Sequence, residues 1–203
     1  MFELNKDLKV IVNRIYDRPI FIIDNFYEYP DEVYNYLFNR DNIPLWKVNE
    51  SPTNNGIYFE DRRLVEYDER LEDVYNFLSD LCEQPYFDCE ITTNMTRFVK
   101  HSFNDYENCI WWPHSDTGYN GIVYFNDTCG TNLYEDLGID GDSIEHYEPW
   151  RWKENYKLLM TIEPKYNRMV LFDGVIPHGM NITNDYYFGR EYRENQVFFF
   201  DEQ

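Results

Sequence analysis

The chain has no apolar run approaching the ~20 residues that a membrane-spanning helix needs. Its first stretch, MFELNKDLKVIVNRIYD, mixes charges into its apolar residues and lacks the uniform apolar segment of a signal peptide. Both absences point to a soluble, cytoplasmic protein with no membrane partner. Basic residues are scarce: 18 Lys and Arg stand against 38 Asp and Glu, a formal net charge of −20. No basic cluster exceeds a pair such as Arg62-Arg63, and a field of this sign repels phosphate backbones, which argues against nucleic acid as a partner. The four cysteines, at 82, 89, 109 and 129, have no Cys-x-x-Cys spacing, which argues against a zinc site. In a reducing compartment they read as free buried thiols. There is no internal repeat, low-complexity tract or Gly/Ser linker, so residues 1–203 read as one domain.

Aromatic residues, in contrast, make up 19% of the chain, which favours strands and filled pockets over disorder. PIFIIDNFY (19–27) reads as a strand. YPDEVYNYLFNR (29–40) reads as a helix, with Pro30 in its first turn and acids at its positive end. DERLEDVYNFLSDLCEQ (68–84) places Leu71, Val74, Tyr75, Leu78, Leu81 and Cys82 on one helical face that should pack against a sheet. The stretch between them, NESPTNNGIYFEDRR (49–63), reads as a loop. From about residue 92 the pattern becomes short strands: TNMTRFVKHSF, GIVYFN, YKLLMTIEP, NRMVLFDG and ENQVFFFD. The expected fold is α+β, with N-terminal helical support over about 1–90 packed on one sheet of a sandwich or jelly-roll core over about 91–203. The acidic, aromatic segment 135–156 interrupts the strands, as either a lid over a site or a surface excursion.

WWPHSDTGYNGIVYFN (111–126) holds His114 and Asp116 one residue apart. On an extended segment alternate residues leave the same face, so the pair suits two ligands of one metal ion; alone it suits a polar turn equally well. A third ligand must come from afar, and there are three other histidines. His101 ends a strand and His146 lies in the acidic loop. His178, in RMVLFDGVIPHGMNIT, follows an apolar strand and a turn. His114, Asp116 and His178 together make a two-histidine, one-carboxylate set, which leaves adjacent coordination positions open and is associated with non-haem Fe(II) oxygenases. Arg190 and Arg193 precede the last strand, where an arginine can grip a dicarboxylate or simply serve as a surface counter-charge.

With these pieces in order, the chain resembles the Fe(II)/2-oxoglutarate-dependent oxygenases, and most of all their prolyl-hydroxylase-like branch. The matching stretches are IFIIDNFYEYPDEVYNYL, PHSD, IVYFND with GTNLY, NRMVLFDGVIPHGM and RENQVFFFD, in that order over roughly residues 19–201. The resemblance implies a double-stranded β-helix. It implies iron held by His114, Asp116 and His178, and 2-oxoglutarate gripped by Arg193, with Arg190 as second choice. Tyr124 would add a hydroxyl to that pocket or serve as a core aromatic, and Asn126 and Thr131 would border it. The implied reaction uses O2 and 2-oxoglutarate, releases succinate and CO2, and hydroxylates a C–H bond of a protein or peptide side chain, or of an amino acid or other small molecule. The family's frequent paired glycines read here as CGTN (129–132), and 135–156 has no counterpart; Trp150 and Trp152 there would touch substrate or anchor the loop. Two alternatives compete with this reading: a non-catalytic jelly-roll binding module and a cupin-like metalloprotein that does not use 2-oxoglutarate.

Overall fold

Successive residues of a strand leave on opposite faces, and in this chain the apolar strands find apolar partners on both. The computed structural model describes residues 1–39, 43–50, 58–66, 68–83, 87–100, 106–139, 150–184 and 192–202. Among them, in chain order, are β1 (Lys9–Ile15), β2 (Arg18–Asp24), α1 (Pro30–Phe38), β3 (Leu45–Glu50), β4 (Tyr58–Glu66), α2 (Glu72–Leu81), β5 (Phe87–Lys100), β6 (Cys109–Trp111), β7 (Tyr119–Tyr124), β8 (Thr131–Asp136), β9 (Trp150–Trp152), β10 (Tyr156–Ile162), β11 (Arg168–Asp173), β12 (His178–Met180) and β13 (Arg193–Glu202). The fold is mostly β with few helices and is consistent with a jelly roll. A large sheet runs in the order β1-β2-β11-β7-β13-β5-β4-β3, a small one in the order β10-β8-β12, and β6 pairs with β9.

The strands' alternation divides the core in two. Ile20 of β2, Ile122 and Tyr124 of β7, and Val170 and Phe172 of β11 are buried together with Leu133 of β8 and Ile162 of β10, between the sheets. Their sequence neighbours Phe21, Ile23, Val123, Met169 and Leu171 point the other way. They share a second buried cluster with Phe198 and Phe200 of β13, Val33, Leu37 and Phe38 of α1, and Leu71, Val74 and Leu78 in and just before α2. Helix α1 starts where the sequence suggests, with Pro30 in its first turn and Asp31 and Glu32 at its N-terminal end.

Several expectations change. The stretch 49–63 is not a plain loop. Residues 58–63 belong to β4, which pairs with β3 and, along its length, with β5; residues 51–57 lie outside the described set. β4 escapes notice because its alternation is polar against apolar, Arg63 beside Leu64, with few apolar positions. β1, KVIVNRI, lies in a stretch where charges interleave the apolar residues, and it is an edge strand whose Ile11 and Val12 are about half exposed. The expected helical support therefore also supplies four strands to the large sheet, and the boundary at 91 falls inside β5. Of the interrupting segment 135–156, Trp150–Trp152 forms β9, while 140–149, and with it His146, lie outside the described residues, as does His101. Among the described residues, no helix is long and apolar enough to cross a membrane.

Candidate metal centre

Backbone pairing brings the three sequence candidates together. His114 and His178 exchange two backbone hydrogen bonds, N to O at 2.9 Å and 2.8 Å, as an isolated antiparallel bridge. Two residues on, the Asp116 N–H donates to the Gly174 carbonyl at 2.8 Å, and the Gly174 N–H donates to Gly118 at 2.7 Å. The turn before β12 is thereby sewn to the segment carrying His-x-Asp. A side chain at 174 would crowd this seam, since a Cβ there would meet the Asp116 and Gly118 carbonyl oxygens at 3.0 Å.

One ligand atom from each of His114, Asp116 and His178 lies within 4.8 Å of the others. Asp116 Oδ2 is 3.4 Å from His178 Nε2 and 4.0 Å from His114 Nε2. Each imidazole places Nδ1 against a backbone carbonyl, His114 on Trp112 at 3.1 Å and His178 on Ile176 at 2.9 Å. A carbonyl only accepts, so Nδ1 carries the proton and the Nε2 lone pairs converge beside the carboxylate, the tautomer that a metal ligand needs. Desolvation, then the neighbouring His178 imidazole, lowers the pKa of His114 and favours its neutral form, although 45% of its side chain is open to solvent. Burial pushes the Asp116 carboxyl up, but a hydrogen bond from His178 when that ring is protonated, the positive charge of either imidazole in that form and the Asn120 amide outweigh it and lower the pKa to about 2. Two neutral nitrogens and one carboxylate, preset by their neighbours, fit a divalent ion of intermediate softness.

Asn120 completes the arrangement. Its Nδ2 donates to Asp116 Oδ2 at 2.6 Å and lies 3.2 Å from His178 Nε2. Its local sequence does not mark it; its only signal is a position on β7 at which, by alternation with Ile122 and Tyr124, the side chain must point between the sheets.

The three residues line a cavity of about 770 Å³ that extends along the inner face of the large sheet. Arg193, at the start of β13, also lines it. Its Nε donates to the Cys129 carbonyl at 3.0 Å and its Nη2 to Thr131 Oγ1 at 3.3 Å, with the guanidinium 5.5 Å from the Tyr124 ring centre. The Tyr124 hydroxyl is 2.6 Å from Thr131 Oγ1, and burial raises its pKa, so it stays protonated. Tyr124 is thus both a core aromatic and the bearer of a hydroxyl beside Arg193. Asn126 instead holds the chain ahead of β13, donating from Nδ2 to the Tyr192 carbonyl at 2.6 Å. Arg190 lies outside the described residues. Trp150 packs with Trp111 and Cys109, and Trp152 is 52% exposed. Arg151 between them is buried and lines the cavity, as does Arg63 of β4; neither stood out in the sequence.

No family model matches the chain, and no curated protein matches it. The chain is similar to solved Fe(II)/2-oxoglutarate-dependent dioxygenases. One is the selenomethionine-labelled Fe(II)/α-ketoglutarate-dependent dioxygenase TqaL, at 13% identity over 87% of this chain and 76% of that one, with a TM-score of 0.42. A prolyl-4-hydroxylase of Pseudomonas putida matches at 11% identity over 93% of this chain and 95% of its own, with a TM-score of 0.47. EvdO2 of Micromonospora carbonacea var. aurantiaca, solved with 2-oxoglutarate, matches at 10% identity over 96% and 94%, with a TM-score of 0.41.

Proposed function

We propose that the protein is an Fe(II)- and 2-oxoglutarate-dependent dioxygenase that hydroxylates a C–H bond of a protein or peptide side chain or of an amino acid, releasing succinate and CO2. The observation that carries this reading is the convergence of His114, Asp116 and His178 in a cavity that also holds Arg193. The frame is then a single domain, a double-stranded β-helix with α1 and α2 packed on the outer face of its large sheet.

His114, Asp116 and His178 would hold the iron, which when bound with 2-oxoglutarate and O2 supplies the oxidising chemistry. The carbonyls of Trp112 and Ile176 fix the imidazole tautomers, and Asn120 fixes the carboxylate. Arg193, oriented by Cys129 and Thr131 over the Tyr124 ring, would meet the distal carboxylate of 2-oxoglutarate with a charge-assisted pair. Of the hydrogen-bonded Thr131 and Tyr124 hydroxyls, the one that accepts from the other would donate to the same group. Ile122, Val197 and Phe199 give the cavity an apolar wall against which a bound molecule would pack.

The test is aerobic incubation with Fe(II), ascorbate and carbon-13-labelled 2-oxoglutarate, followed by NMR. The proposal expects labelled succinate, absent in His178→Ala and formed by Arg193→Gln only at higher 2-oxoglutarate. No succinate from folded, iron-bound protein would overturn it.

A further inference from the structure

One wall of the cavity carries two amides whose oxygens lack donors. Asn94 of β5 and Asn195 of β13 stand opposite each other in register, and both line the cavity. Strand alternation turns Asn195 inward together with Val197 and Phe199, which line the cavity too. Asn94 is 8% exposed and Asn195 1%, yet among the described residues no donor reaches the Oδ1 of either. Buried polar atoms are nearly always paired, because losing water without gaining a new partner is costly. Asparagine is also a poor strand former, so backbone preference does not account for the pair. Two unmet oxygens side by side on a cavity wall point to donors that arrive with a ligand.

What these oxygens need defines the ligand. 2-Oxoglutarate carries two carboxylates and a ketone, which only accept, so the co-substrate of the reading above leaves the need unmet. A cation would bring donors but find no counter-charge. The acids among the lining residues are Asp116, which belongs to the proposed metal centre, and Asp136, an exposed residue that accepts from the Gly138 N–H. An uncharged donor remains. Side chains opposite each other on neighbouring strands start about 5 Å apart. With hydrogen bonds of about 2.9 Å on either side, one nitrogen bearing two N–H bonds can lie between the two oxygens and donate to both. A hydroxyl has a single O–H and serves only one of them. A primary carboxamide supplies such a nitrogen. Its own carbonyl accepts from an asparagine Nδ2, so it complements whichever end a turn about χ2 presents to the cavity.

We propose that Asn94 and Asn195 form the substrate subsite of this cavity and hold a primary carboxamide of the substrate, whose apolar portion packs against Ile122, Val197 and Phe199. This deepens the functional reading above and rests on it only for the reaction carried out on the bound molecule.

Saturation-transfer NMR on the Zn(II)-loaded protein with 2-oxoglutarate present, together with thermal melting of two variants, tests this. The probes share one chain length: hexanamide, N,N-dimethylhexanamide, hexylamine and hexane-1,2-diol. Hexanamide should receive saturation, and each of the other three should bind at least tenfold more weakly. This comparison needs no variant. Asn94→Leu and Asn195→Leu keep the side chain's approximate size and remove the amide, and each should weaken hexanamide at least tenfold. Because a buried amide without a partner burdens the fold, each should also melt at least as high as wild type. No binding of hexanamide, or equal binding of any of the other three probes, would overturn the proposal. Unchanged hexanamide binding in either variant would overturn it, as would a lower melting temperature in either, the mark of an amide that the fold itself needs. The signal of 2-oxoglutarate reports separately on the dioxygenase reading: its absence beside hexanamide binding that depends on Asn94 and Asn195 would sink that reading and leave this one standing.

Discussion

His114 and His178, 64 positions apart in sequence, face each other across a reciprocal pair of backbone hydrogen bonds with their ring centres 4.4 Å apart. The ladder therefore sets the spacing between the two imidazoles, and the side chains only have to choose rotamers. Anything that pries β12 from the 111–116 segment should damage the proposed metal site.

Gly179→Ala tests that dependence. A Cβ at 179 would meet the Trp111 carbonyl oxygen at 2.6 Å and that of Trp112 at 3.0 Å. Both obstacles are backbone, so the strand has to shift. Such crowding destabilises by about 1–3 kcal/mol, and the displaced His178 should weaken metal binding. Chemical unfolding and Mn(II) calorimetry on one preparation measure both effects. Wild-type metal affinity in the variant would mean that the bridge does not set the ligand spacing.

Asn120→Ala probes the support of the carboxylate. Removing the amide takes away the 2.6 Å donor to Asp116, and outer partners of metal ligands are worth roughly 10- to 100-fold in affinity. Competition with a chelator reads the loss, which should appear with the fold intact by circular dichroism. An unchanged affinity would reduce Asn120 to a filler of the sheet interior.

Much of this site was legible in the sequence because its signals are local. His-x-Asp on an extended segment puts both side chains on one face, and an apolar strand with a turn before His178 announces a rigid mount. Arg193 is marked by its place at the start of the last strand. What escaped was set by pairing between distant strands. Asn120 matters because alternation on β7 turns it inward, and Arg63 lines the cavity because β4, read as a loop, is a strand in register with β5. In the 135–156 segment the tryptophans drew attention, but Arg151 between them lines the cavity; its place there depends on β9 pairing with β6, which has no sequence signature.

A third prediction concerns the far edge of the large sheet. Asp24, at the end of β2, accepts from Arg168 Nε at 2.6 Å and from Lys165 Nζ at 2.8 Å. The Arg168 hydrogen bond, helped by Lys165 and opposed by partial burial, lowers its pKa from 3.8 to about 2. A carboxyl whose pKa is lower in the folded state stabilises the fold above its unfolded pKa and loses that contribution as pH falls through the folded one. The stabilisation should therefore be complete above about pH 4 and fade towards pH 2. With the side chain 32% exposed, water screens the pair, and about 1 kcal/mol is expected. Urea unfolding of wild type and Asp24→Asn across this range should show curves that differ at pH 6 and merge near pH 2; a constant difference would refute the linkage.

The central claim is that one cavity holds both the metal and 2-oxoglutarate, and anaerobic titration of the Fe(II)-loaded protein with 2-oxoglutarate tests it most directly. The account predicts a weak visible charge-transfer band that saturates, is absent in His114→Ala, and in Arg193→Ala needs at least tenfold more 2-oxoglutarate, since a lost charge-assisted pair is worth about 1.5–3 kcal/mol. A folded protein that binds Fe(II) and develops no band at any 2-oxoglutarate concentration would contradict it.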